Sequence, residues 1–138
     1  MRIIIMEGFT SEFNCLFAIS ENDPERPFLP DATVHNVYYP GHSAITATGV
    51  PGLVFWFFFV KAATKTRTPN CPRFIDNDAK GLVKEYGHVQ IGPGYTLDDL
   101  WETRIKGNMA PLEEGVLKKW SHNRVVLMGD AVHKVSLY

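Results

Sequence analysis

The sequence predicts an α+β fold in which an antiparallel sheet is followed by two helices. Short β-branched and aromatic segments, separated by Pro-Gly turns, fill residues 12–60. Two segments with helical spacing of apolar residues lie between positions 76 and 103. A last apolar run at 124–128 ends in Gly-Asp, and this pattern is typical of a buried strand from a parallel sheet. We therefore expect a remnant strand of a second, α/β domain at the end of the chain.

Four segments build the predicted sheet. Glu12–Ile19 is apolar enough for a strand packed on a core, and the three prolines of Ser20–Asp31 indicate a surface loop. Thr33–Tyr39, Ser43–Thr48 and Leu53–Val60 are rich in β-branched and aromatic residues. Tight turns separate these three segments, so they predict an antiparallel meander.

Two helices follow the sheet. Asp76 is positioned to cap a helix that runs to Tyr86, with Gly87 as its C-terminal stop. Thr96-Leu97-Asp98-Asp99 resembles a capping box and opens a second helix over Leu97–Thr103. Lys106–Leu112 is expected to be extended.

Composition excludes several classes of protein. The 138 residues suit one domain, and 45% of them are hydrophobic, which is enough for a core. The net charge of −1, without a basic patch, argues against a nucleic-acid partner. Two cysteines indicate no disulfide framework, and no His-x-x-x-His or Cys-x-x-Cys spacing predicts a metal site. The longest apolar run, Leu53–Val60, is far shorter than the about 20 residues of a membrane span. We expect a soluble and intracellular chain, and the cytoplasm is its expected location.

Gly129-Asp130 is the strongest chemical signal. A carboxylate at the carboxyl end of a buried strand lies where open α/β sheets bind ligands. It can accept hydrogen bonds from two sugar hydroxyls, and Gly129 would let the backbone approach a ligand. The competing interpretation is that Asp130 only caps a helix beginning at Ala131.

The context of this pair resembles the second flavin motif of the para-hydroxybenzoate hydroxylase family, the group A flavin monooxygenases. That motif has an aromatic residue, a short gap, Arg-Val, three apolar residues, Gly-Asp-Ala, any residue and His, as Trp120–His133 has here. Three upstream segments resemble fungal members that epoxidise prenylated terpenoid and indole-diterpene intermediates. They are Val54–Phe57, Asp99–Glu102 and Leu112–Gly115.

The resemblance implies an FAD-dependent monooxygenase that uses NAD(P)H and acts on a hydrophobic secondary metabolite. Asp130, supported by Gly129, would contact the ribityl chain of FAD. Residues 1–119 would correspond to the substrate domain and 120–138 to part of the FAD-binding domain. Tyr39 would line the substrate pocket as a catalytic residue, although an aromatic packed in a sheet is the alternative. The run Phe55–Phe59 fits a ligand wall and a packed core equally well.

Departures from the family pattern define a second hypothesis. No Gly-x-Gly-x-x-Gly follows a strand, and Lys134–Tyr138 replaces the Pro and Gly-rich turn that follows the family's His. These departures predict a truncated member or a mispredicted reading frame, and we expect the isolated chain not to retain FAD. The alternative function is that of a catalytically inactive remnant or a small-molecule-binding module.

Overall fold

A computed structural model describes residues 8–135 and contains a six-stranded antiparallel sheet with two helices on one face. The first four strands are β1 (Thr10–Glu21), β2 (Val34–Tyr39), β3 (His42–Ala47) and β4 (Leu53–Arg67). The middle of the chain forms α1 (Asp76–Tyr86), β5 (Gln90–Gly92), β6 (Tyr95–Thr96), α2 (Leu97–Glu102) and β7 (Arg104–Val116). The last part forms β8 (Ser121–His122), β9 (Val125–Val126), a 3₁₀ turn (Gly129–Ala131) and β10 (His133–Lys134).

The strand order in the large sheet is β10-β7-β1-β4-β3-β2, and every pairing is antiparallel. The predicted meander is present as β2, β3 and β4, which are neighbours in sequence and in space. Strands β5 and β6, and strands β8 and β9, form separate two-stranded ribbons. The predicted α+β class, an antiparallel sheet with two helices, is confirmed.

The core lies between the helices and one face of the sheet. Opposite each other on β1 and β4, Leu16 pairs with Phe58 and Ala18 pairs with Trp56. Trp56 and Phe58 have no exposed area and belong to the same buried cluster as Leu100 of α2. Because side chains alternate along a strand, Phe55 and Phe57 must point to the opposite face.

Strand β4 continues to Arg67, seven residues beyond the predicted end at Val60 and through the polar sequence that follows it. Its distal half pairs with the beginning of β1, where Thr10 lies opposite Arg67 and Ser11 lies opposite Thr66. A polar segment can therefore form a strand when its backbone is hydrogen-bonded to a neighbouring strand. The composition of the segment contains no information about that partner.

The predicted start of α2 is confirmed, whereas the prediction that Asp76 caps α1 is wrong. The capping box of α2 is present, since the Asp99 carboxylate accepts from the Thr96 backbone N–H at 2.7 Å. In α1 the N-cap is Ile75, whose N–H donates to the Asp78 carboxylate at 2.7 Å. Asp76 instead lies in the first turn, where its negative charge interacts favourably with the helix dipole.

The predicted buried strand over Arg124–Met128 is wrong. Only Val125 and Val126 are extended, and they pair with the two residues of β8 in a hairpin. Val125 and Val126 are 61% and 67% exposed. An apolar run becomes a buried parallel strand only when other strands flank it, and within residues 8–135 this run is paired only with β8.

Ser20 connects the sheet to α2 through buried hydrogen bonds. Its hydroxyl donates to the Leu100 carbonyl at 2.6 Å and accepts from Trp56 Nε1–H at 2.8 Å. Ser20 and Trp56 are both completely buried. Removing the hydroxyl would therefore leave the buried indole N–H without this acceptor and would remove the shorter of two hydrogen bonds to the Leu100 carbonyl, which also accepts from the Thr103 hydroxyl at 3.4 Å.

We expect Ser20→Ala to lower the free energy of unfolding by about 1–3 kcal/mol, because unsatisfied buried groups keep their desolvation cost. Urea denaturation followed by circular dichroism measures the change. Ser121→Ala is the matched control, since Ser121 is exposed and its loss should change stability by less than about 0.5 kcal/mol. Equal urea midpoints for the two variants would contradict a stabilising role of the Ser20 hydroxyl.

Candidate functional site

An apolar groove of about 290 Å³ lies over the middle of the sheet's open face, opposite the helices. Phe17 of β1 lies directly across from Phe57 of β4, with ring centroids 6.5 Å apart. These two side chains are 37% and 41% exposed, which is unusual for adjacent phenylalanines. The lining residues used below are Phe17, Ile19, Phe55, Phe57, Lys106 and Asn108.

The groove is apolar along β1 and β4 and polar at its β7 side. Asn108 lies opposite Phe17, and Lys106 lies opposite Ile19 in the register of β1 with β7. A concave apolar surface with a few polar groups at one side is the usual composition of a small-molecule site. The aromatic run of β4 therefore serves both predicted roles, with Trp56 and Phe58 in the core and Phe57 in the groove.

Tyr39 lies on the helix side of the sheet, away from the groove. It pairs with His42 at the β2–β3 turn, and the two rings stack with centroids 5.0 Å apart. Its hydroxyl donates to the Gln90 carbonyl at 2.8 Å. Beside it is a shallow depression of about 530 Å³. The catalytic role of Tyr39 stays a prediction; the structure does not bring it together with Phe17, Phe57 or Asp130.

Gly129 and Asp130 form an exposed 3₁₀ turn between β9 and β10. Gly129 has a φ of 59°, in the left-handed region that favours glycine. A Cβ added at Gly129 would meet no atom within 4 Å, so its surroundings are open. The exposed Asp130 carboxylate can accept two hydrogen bonds from hydroxyls, and an acceptor of this kind fits the hydroxyls of the ribityl chain of FAD.

A cluster of contacts around Glu113 joins this turn to the sheet. Glu113 of β7 forms an ion pair with Lys134 of β10 at 2.6 Å, and it accepts from the Thr68 hydroxyl at 2.6 Å. Hydrogen bonds from Lys134 and Thr68, with a smaller contribution from the Cys71 thiol, hold the pKa of Glu113 below its ordinary value. We call Glu113, Lys134 and Thr68 the Glu113 junction.

Residues 8–135 contain neither a metal-binding cluster nor a membrane-spanning helix. No group of three or more His, Cys, Asp or Glu side chains in this range is arranged to hold a metal ion. None of the helices in the same range is long and apolar enough to cross a membrane.

Cys15 is buried, and burial raises the pKa of its thiol to about 12.

The fold recurs in solved structures of known proteins. A tetracycline destructase, Tet(51), superposes with a TM-score of 0.60 over 96% of this chain and 35% of its own, at 15% identity. The Diels-Alderase PyrE3 from pyrroindomycin biosynthesis gives a TM-score of 0.57 over 93% of this chain and 25% of its own, at 16% identity. These similarities establish the architecture alone.

Several fungal proteins are similar to this chain in sequence. No family model matches the chain. The FAD-dependent monooxygenase ausM of Penicillium brasilianum is 39% identical over 94% of this chain and 27% of its own length. The FAD-dependent monooxygenases adrH of Penicillium rubens and janM of Penicillium janthinellum are 39% and 33% identical over 92% and 96% of this chain.

The chain is therefore homologous to a segment of fungal proteins named FAD-dependent monooxygenases. The resemblance predicted from Trp120–His133 is confirmed. The chain spans about 27% of the length of the first of these relatives.

Sequence reasoning missed the groove residues on β1 and β7 and the Glu113 junction. Phe17 and Asn108 become neighbours only through the register of two strands about ninety positions apart in the chain. Opposite charges at Glu113 and Lys134 were visible in the sequence, but nothing in their spacing of 21 residues indicates contact. The local periodicity of apolar residues contains no information about such long-range pairing.

The Glu113 junction predicts a defined pH dependence of stability. Since the folded-state pKa of Glu113 lies below 4.5, its contribution is complete above the unfolded-state value and is lost as pH falls through the folded-state pKa. We expect Glu113→Gln to be less stable than the parent at pH 6, and the difference to shrink below about pH 4.5. Urea titrations at several pH values measure it. A constant difference across this range would refute the assignment.

Proposed function

We propose that the chain supplies the substrate-facing sheet and the ribityl-contacting turn of an FAD-dependent monooxygenase that hydroxylates or epoxidises a hydrophobic secondary metabolite. The observation that carries the proposal is the 39% identity to an FAD-dependent monooxygenase over 94% of the chain. The presence of Gly129-Asp130 on an exposed turn supports it. NAD(P)H is the proposed reductant.

Asp130 is the proposed cofactor ligand, and Gly129 shapes the turn that presents it. The carboxylate would accept hydrogen bonds from ribityl hydroxyls and so fix the position of the cofactor. When bound, FAD supplies the oxygen-transfer chemistry. The protein's part is to bind, to orient the substrate and to exclude water.

The groove is the proposed binding surface for the substrate. Phe17 and Phe57 offer apolar area that a hydrophobic ring system or prenyl chain would cover. Lys106 and Asn108 at the β7 side would receive a polar group of the substrate and set its orientation. We retain the division into a substrate-domain region, 1–119, and a partial FAD-binding region, 120–138, as part of this proposal.

The second candidate function is a non-catalytic small-molecule-binding module. One observation favours it: the residues that line the groove all belong to β1, β4 and β7, so its apolar wall is complete within this sheet. The two functions differ in whether Asp130 contributes to cofactor binding.

Asp130→Ala is expected to weaken FAD retention. The test replaces the matching segment of the Penicillium brasilianum relative by this chain and titrates the chimera with FAD, following flavin fluorescence. Loss of a charged acceptor should raise the dissociation constant about tenfold or more. The substitution is on an exposed turn, so folding should be unaffected.

Asp31→Ala serves as the control for Asp130→Ala, because Asp31 is an exposed aspartate in the loop before β2. It should leave FAD affinity within about twofold. A chimera that folds but binds FAD equally well with and without Asp130 would exclude the cofactor-binding role. Binding of a hydrophobic ligand in that chimera would then favour the module.

Tyr39→Phe tests the remaining predicted residue in the same chimera. We expect NAD(P)H oxidation in the presence of substrate to change less than about twofold, because Tyr39 faces away from the groove and its hydroxyl is bonded to a backbone carbonyl. A loss of turnover of a hundredfold would instead put the substrate beside Tyr39.

Phe57→Ser should weaken binding of an apolar ligand to the groove. N-phenyl-1-naphthylamine, a neutral probe that fluoresces in apolar sites, measures the affinity of the chain directly. Removing one phenyl contact should raise the dissociation constant about tenfold or more. Val34→Ser is the control, since Val34 is an exposed apolar residue on the edge strand outside the groove. Equal effects of both substitutions would rule out specific binding there.

A further inference from the structure

Both carboxylate oxygens of Glu113 are engaged, each by a different part of the chain. Oε2 pairs with the Lys134 ammonium at 2.6 Å, and Oε1 accepts from the Thr68 hydroxyl at 2.6 Å. Thr68 follows β4, while Lys134 lies in β10. Glu113 on β7 therefore joins the end of the central sheet to the segment that carries the Gly-Asp turn.

The ion pair is more sheltered than a surface pair. The side chains of Glu113 and Lys134 are 24% and 32% exposed, compared with 39% and 56% for Glu12 and Lys65. The Lys134 ammonium also lies 5.0 Å from the Phe9 ring centroid, and Phe9 accepts from the Thr68 N–H through its carbonyl. Reduced solvent screening makes such a pair stronger than an exposed one.

The turn is tied to the end of β7 by contacts at Val132 and at the two residues that follow it. Val132 is completely buried, and its carbonyl accepts from the Leu117 N–H at 2.7 Å. His133 pairs with Val116 in the sheet, and its ring stacks on Trp120 with centroids 5.8 Å apart. The ion pair between Lys134 and Glu113 is the charged contact of this anchor, four residues after Asp130.

We infer that Glu113 is a positioning residue that holds the Gly129–Asp130 turn against the sheet through Lys134 and Thr68. The inference rests on the proposed function only for its consequence, the placement of the Asp130 carboxylate toward FAD. Glu113 itself touches neither cofactor nor substrate in this scheme. Its effect passes through the conformation of the turn.

Hydrogen exchange of the whole 138-residue chain tests the positioning step without any cofactor. In Glu113→Gln and Lys134→Met, the amides of Ala131 and Val132 should exchange about tenfold faster, while those of Leu16 and Phe58 in the core change less than about twofold. Lys134→Arg preserves the charge and should restore the parent rates. Glu12→Gln removes the exposed pair with Lys65 and should leave the turn unchanged.

Unchanged turn amides in both variants would overturn the inference, as would equal acceleration throughout the chain or a failure of Lys134→Arg to restore protection. FAD titration of the chimera then tests the consequence. If Glu113 acts through Asp130, Glu113→Gln weakens FAD binding in the parent chimera and adds little to Asp130→Ala. Weak binding in Asp130→Ala alone, with Glu113→Gln unaffected, would overturn the positioning role.

The two proposals fail in different ways. If Asp130→Ala has no effect on FAD while Glu113→Gln still loosens the turn, the cofactor role of Asp130 is lost and the anchor remains. If the turn is loosened in neither variant while Asp130→Ala weakens FAD binding, the cofactor role stands and Glu113 is excluded.

Discussion

The pairing of β1 with β4 determines what each face of this protein can do. Leu16 opposite Phe58 and Ala18 opposite Trp56 place the largest side chains of both strands against the helices. The same register forces Phe17 and Phe57 to the other face, since successive side chains alternate. A slip by one residue would exchange the faces and expose Trp56, whose N–H is bonded to Ser20. Core and groove are thus two consequences of one register.

Sequence reasoning succeeded where the information is local. The β2–β4 meander, the extent of α1 and the capping box at Thr96 depend on turn residues, apolar spacing and side chains three positions apart. It failed for Arg124–Met128, because burial of a strand depends on partners rather than on its own composition. Tyr39 illustrates the intermediate case: its strand was predicted, but the face it occupies follows from the register with β3.

The Gly-Asp motif identifies the relatives of the chain, but it does not predict the local structure of the segment that contains it. The order of residues from Trp120 to His133 was sufficient to identify the relatives, although the strand predicted within it is a short exposed hairpin. The contacts that follow Asp130, namely buried Val132 and the pair between Lys134 and Glu113, hold its turn against the sheet. A motif therefore reports common descent more directly than it reports the local conformation that presents its functional group.

Similar sheets support different chemistry, so architecture cannot decide the function of this chain. A tetracycline destructase and a Diels-Alderase superpose on nearly all of it at 15% and 16% identity. Their names describe different reactions, as expected when a fold is a scaffold for varied sites. The specific content lies in the side chains on the open face and in the turn bearing Asp130. In the proposed function, Phe17, Phe57 and Asn108 would select the ligand that binds on the sheet. The Glu113 junction would determine how firmly the Asp130 carboxylate is held in place for the cofactor.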